Sequence, residues 1–157
     1  MSKNVQGFAE LQKQFEDLNR QLKKADVSDF CCSVAKELAA RLLAKAIKRT
    51  PVGDYPKGSG KMGGTLRRGW TGETNSDAAA YVKALPVTKA GNMYEIEIIN
   101  PVHYASYVEF GHRTRGGAGW VKGRFMLTLS EKEIQGQAAK IVEAKIQKYL
   151  EEVFNVK

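Results

Sequence analysis

Three observations predict an α+β fold. Apolar residues recur at spacings of three and four towards both ends of the chain, the spacing changes to two in the middle, and turn-forming residues are dense only in that middle. The expected architecture is two N-terminal helices, an antiparallel β-meander with a short inserted helix, and a long C-terminal helix packed on one face of the sheet. A chain of 157 residues is long enough for one domain with its own core, so residues 1–157 are read as a single domain.

Phe8, Leu11, Phe15, Leu18 and Leu22 place a narrow apolar stripe on a first helix, from about residue 6 to 24. Asp26, with Asp29 three positions on, suits the start of a second helix. Phe30, Val34, Leu38, Leu42 and Ile47 form its wider face, and Pro51 and Gly53 end it. The adjacent Cys31 and Cys32 cannot form an ordinary disulfide with each other and read as small, half-buried apolar residues without chemistry. A chain with no disulfide framework is expected to work in a reducing compartment.

Period-two patterns then predict strands at Leu66–Thr74, Ala79–Val87 and Met93–Asn100. The last is clearest, with Tyr94, Ile96 and Ile98 on one side and Glu95 and Glu97 on the other. The turn residues of "NSD" and "TKAGN" join them as a meander, and Trp70 on the first strand is assigned to the core. In "NPVHYASYVEFG", Asn100 suits an N-cap, Pro101 a first helical position and Gly111 a left-handed terminus, which predicts the short inserted helix. Ser130 with Glu133 reads as a capping box. Ile134, Ala138, Ile141, Val142, Tyr149 and Val153 carry the final helical stripe.

The formal charge of +8 is unevenly placed. Lys45, Lys48, Arg49, Lys57, Lys61, Arg67 and Arg68 face Asp54 alone between residues 45 and 72, and Arg113, Arg115, Lys122 and Arg124 face no acid between 111 and 124. Glycine mixed with charge makes residues 53–64 and 112–123 two basic loops, expected to be mobile and to meet an anionic partner or solvent. On them and just beyond the second, the candidate interface residues are Trp120, Arg113, Arg115, Lys122, Arg124, Lys57 and Lys61. Trp120 is either an interface anchor or a plug over the domain's own core. No run of about 18 apolar residues and no signal-peptide pattern occurs, so neither a membrane span nor export by a signal peptide is expected.

Two apparent chemical motifs do not hold together. His103 and Glu109 lie about 240° apart around a helix axis and His112 falls beyond the helix end, so the three do not converge on a metal or an acid–base site. Gly58, Gly60 and Gly63 match the letters of a dinucleotide-binding loop. They follow a helix and a proline turn and precede a predicted strand, the reverse of what such a loop needs. No nucleophile elbow and no paired cysteine and histidine occurs, so no catalytic residue, metal ligand or cofactor is assigned.

What remains distinctive is two segments in order: "TPVGDYPKGSGKMGGTLRRGW" from residue 50 and "HYASYVEFGHRTRGGAGWVKGRFML" from residue 103. Together they resemble the tail-component family of tailed bacteriophages. Pro51, Gly64, Leu66, Arg67, Tyr104, Ala105, Tyr107, Val108, Glu109, Phe110, Gly111, Arg124 and Phe125 match its pattern. His112 stands where the family has threonine, Met126 follows Phe125 without a proline, and residues 54–63 resemble an insertion. The resemblance implies a non-enzymatic structural protein of a phage, a prophage or a phage tail-like particle, made in the cytoplasm of the bacterial host. It would join or complete the neck as a homo-oligomeric ring bound to an adaptor, tail terminator or tube protein, with DNA passing through the lumen. The alternative is a basic module that binds nucleic acid without sequence preference. No zinc finger, RNA-binding aromatic signature or helix-turn-helix pattern supports specific readout.

Overall fold

Residues 12–17, 20, 27–72, 74 and 76–154 are described by a computed structural model of the chain. Residues 12–17 (α1) are helical, in agreement with the first predicted stripe. Phe15 on it is exposed, while Phe8, Leu11, Leu18, Leu22 and the proposed cap Asp26 lie outside the described residues. Val27–Arg49 (α2) contains no glycine or proline and many strong helix formers, and it runs unbroken for 23 residues. Its innermost positions are Ala39, Leu43 and Ala46, which share a face at helical spacing and admit close neighbours because two of them are alanines.

Met126–Phe154 (α6) lies along α2 and buries Met126, Ser130 and Ile134 at four-residue intervals. Glu133 on α6 forms ion pairs with both Lys45 and Arg49 of α2, the latter at 2.6 Å. Arg49 also donates to Ser130 Oγ at 2.8 Å. At the other end of the pair, the Phe30 and Tyr149 rings lie 4.6 Å apart.

These contacts replace the predicted capping box. Ser130 is a buried position inside the helix, its hydroxyl donating to Met126 O at 2.6 Å, and Glu133 reaches across to α2 rather than back along its own chain. Its two cationic hydrogen-bond partners hold the Glu133 carboxyl well below the usual range, at about 2. With the folded value depressed, the stabilisation is present above the ordinary carboxylate pKa and is lost as pH falls from about 4.5 towards 2. Denaturant titrations of the wild type and Glu133→Gln should therefore differ at pH 6 and converge near pH 2; an equal gap at both would contradict this role.

Two of the three predicted strands are helical. Thr65–Gly69 (α3) begins after Gly64 in the left-handed conformation, and Ala78–Ala84 (α4) begins at Asp77, whose carboxylate accepts from Ala80 N at 2.7 Å. Asp77, where a turn is expected from the sequence, is thus a helix start, and the alanines after it favour helix. Val82 and Ala78 pack with Trp70, Ala39, Leu43 and Ala46 to form the core, flanked by Ile47, Tyr81, Leu85, Ile96, Ile98 and Leu127. Trp70 is buried as expected, but it stands at the C-terminus of α3 rather than on a strand.

The hairpin at "TKAGN" does form. Thr88–Ala90 (β1) pairs antiparallel with Met93–Glu95 (β2) around Gly91, at φ 61°. Its ladder stops at Thr88–Glu95. Continuing the register would set Pro86 opposite Glu97, and proline has no N–H to contribute. The predicted alternation continues beyond it: Tyr94, Ile96 and Ile98 are half-buried, while Met93, Glu95, Glu97 and Ile99 face solvent.

The inserted helix is shorter than predicted, Ala105–Phe110 (α5), with Tyr104 in the capping position. Asn100 does not cap it. Its amide donates to Leu66 O at 2.8 Å and its carbonyl accepts from Val102 N, so the side chain closes a local turn and ties it to α3. Gly69 permits that approach, since a Cβ there would stand 2.4 Å from Asn100 Oδ1.

The second basic loop contains a hairpin of its own, Gly111–Arg113 (β3) paired with Trp120–Lys122 (β4). The architecture is therefore mixed α and β, with the long C-terminal helix packed against the rest. Its strands form two separate antiparallel pairs in place of one three-stranded sheet.

Candidate functional site

The residues that carry the family-like pattern lie at the joints of the fold. The C-terminal end of α2 leaves carbonyls without helical partners. Arg67 meets one of them, donating from Nε and Nη2 to Thr50 O at 3.1 and 2.7 Å, where a cation also complements the helix dipole. Thr50 Oγ1 donates to Ala46 O and accepts from Trp70 Nε1, both at 2.7 Å. Leu66 is buried beside this joint, and Pro51 prevents α2 from continuing.

Glu109 forms the second joint. It is buried, and its carboxylate accepts from Leu127 N at 3.0 Å, Thr128 N at 2.9 Å and Thr128 Oγ1 at 2.8 Å. It is the N-terminal cap of α6, supplied from α5, seventeen residues before that helix begins. The unpaired N–H groups and the positive end of the helix dipole both favour an anion there. Phe125 carries a left-handed φ of 50° just before α6. Gly111 is confined by the hairpin, because a Cβ on it would meet Val121 O at 2.4 Å.

His103, Glu109 and His112 have separate surroundings. Glu109 is committed to α6, the His103 ring lies edge-on to Tyr104, and the His112 ring contacts Tyr107. No group of three histidine, cysteine or acidic side chains suited to a metal occurs among the described residues. The glycine loop at 58–60 turns through Ser59 N to Pro56 O and is pinched at its base, where Gly63 approaches Gly53 O too closely for a Cβ. It leads into the five-residue α3 rather than out of a strand. Lys57 and Lys61 on it are exposed, with Lys61 over the Tyr55 ring.

The β3–β4 hairpin stands out from this scaffold. From Arg113 to Lys122 every residue is exposed. Trp120 has 63% of its surface open, which excludes the reading of it as a core plug. Arg113 is directly opposite Trp120, and Lys122 follows two positions later, so all three share one face of the ribbon. Arg113, Arg115, Lys122 and Arg124 form no salt bridge among the described residues. At the hairpin's foot Tyr107 and Phe110 are also largely exposed. The two segments are legible as a pattern in the sequence; the hairpin within the second, where a mobile loop is expected, and the division into fastening residues and a projecting arm are not.

The chain belongs to the family described as "Bacteriophage HK97-gp10, putative tail-component", whose pattern matches residues 9–111. The match ends at the foot of the hairpin, so β4 and α6 lie beyond it. No curated protein and no solved structure gives a match. No helix among the described residues is long and apolar enough to cross a membrane.

Because the loops at 53–64 and 112–123 are glycine-rich and basic, and exposed throughout 53–62 and 113–122, limited trypsin digestion of the isolated subunit should cut there first. Early cleavage within α2 or the central part of α6 would contradict that order.

Proposed function

We propose that this tail component is a structural subunit of the head–tail region, joining or completing the neck by assembling as a ring, with the β3–β4 hairpin as its docking arm. One observation carries the reading: a two-stranded ribbon exposed from Arg113 to Lys122, bearing an exposed tryptophan and, with Arg124 just beyond it, four bases in no salt bridge among the described residues. An isolated hairpin is marginally stable in water, and a contiguous aromatic surface is a common docking feature, so such an arm gains its support from a neighbour. Adaptor, terminator or tube proteins are the neighbours this role calls for.

Electron microscopy of the parent particle, with this chain located in the density, tests the proposal. A ring at the neck supports it; a place in the capsid shell or at the distal tail tip overturns it. Reversing Arg113→Glu and Arg115→Glu together should weaken particle joining, increasingly so at low salt, where exposed charges act at longest range.

The unpaired bases of the hairpin, with Lys57 and Lys61, also suit a second reading as a non-specific nucleic-acid-binding surface. Retention of duplex DNA by the purified chain at physiological salt, lost on the same double reversal, would favour that reading over the assembly arm.

A further inference from the structure

The arm's chemistry has a counterpart elsewhere on the same chain. Met93, Glu95, Glu97 and Ile99 all point to solvent from one face of the segment that begins with β2. Met93 and Ile99 are more than half exposed, and neither glutamate has an ion-pair partner among the described residues. Beyond Glu95 no strand among the described residues is paired with this segment, for the reason given by Pro86. Ile98 and Ile99 then line a groove of about 370 Å³ together with Phe110, Leu127 and Glu131.

We infer that this acidic and apolar surface is the receptor for the β3–β4 hairpin of a second copy of the chain. Trp120 enters the groove beside Ile99 and Phe110, while Arg113 and Lys122, on the same face of the ribbon as Trp120, meet Glu95 and Glu97. Three observations select a second copy over an unrelated partner. The hairpin combines an indole with unpaired cations, the receptor combines an apolar groove with unpaired carboxylates, and both are present on every subunit. Opposite potentials both steer and register such a contact. Donor and receptor are different surfaces, so each subunit can give its arm to one neighbour and accept that of another, which is the arrangement a closed ring requires. The inference rests on the reading of the hairpin as an assembly arm and adds where the arm docks.

The test uses two variants of the full chain, each checked for a wild-type circular dichroism spectrum. One carries Glu95→Lys and Glu97→Lys; the other carries Arg113→Glu and Lys122→Glu. Sedimentation velocity should show concentration-dependent self-association of the wild type, weakened at least about tenfold in either variant alone by like-charge contact. An equal mixture should recover it, because the reversed receptor of one variant accepts the reversed arm of the other.

A wild type that stays monomeric at all concentrations overturns the inference, as does a mixture that recovers nothing. Particle joining separates this from failure of the assembly reading. If reversal of the arm blocks joining and reversal of the receptor does not, the arm docks on another protein and only the present inference falls. If neither reversal affects joining, the arm itself has no assembly role and both fall.

Discussion

Glu109→Ala is expected to lower the melting temperature substantially without touching any exposed residue. The substitution strands Leu127 N and Thr128 N at the start of α6 and removes the partner of the Thr128 hydroxyl. A lost charged cap in a buried setting costs about 2–3 kcal/mol. For a chain of this size that corresponds to a fall of roughly 5–10 °C. Glu109→Gln keeps one acceptor oxygen and should lose about half as much. Thermal melting of both variants measures the effect, and amide hydrogen exchange at Leu127 and Thr128 should accelerate in the alanine variant. A melting temperature indistinguishable from wild type in Glu109→Ala would remove the carboxylate from its place as the helix cap.

The same residue shows where reading the sequence stops. Helical periodicity makes α2 and α6 legible, and alternation from Met93 to Ile99 correctly separates a wet face from a packed one, because burial on one side leaves its own period in the chain. The start of α6 is not legible in this way. Ser130 and Glu133 have capping-box spacing, yet the helix begins earlier because its cap arrives from Glu109, distant in sequence. A partner so supplied leaves no signal among the neighbouring residues. The mistaken strands have a related cause. Five residues in α3 and seven in α4 are too few for periodicity to distinguish helix from strand, and what fixes them is packing against α2 and the Asp77 cap.

Asn100 likewise has the composition of a cap and spends its side chain on Leu66 O. Local rules propose partners that tertiary contacts then take. The family-like pattern is affected differently: its order was visible, but Arg67 and Glu109 prove to secure helix ends. A motif residue so employed reports on the fold that presents the function rather than on the function itself.

Trp120→Ala should have the opposite profile to Glu109→Ala: a melting temperature close to wild type and a severe loss of particle joining. The indole is 63% exposed and makes no contribution to the core cluster, so its removal leaves the folded subunit nearly as stable as before. An aromatic anchor that is exposed alone and buried on docking typically costs about 2 kcal/mol or more per contact when truncated, roughly a 30-fold loss of affinity. In the proposed ring every contact would be repeated, so the deficit would accumulate around the assembly. Trp120→Phe retains part of the apolar area and should recover part of the joining. The measurement is complementation of particles lacking this chain, alongside circular dichroism and thermal melting of each purified variant. Lower stability in Trp120→Ala would assign the indole to the fold; normal joining by the same variant would leave the hairpin as a solvated connection between α5 and α6.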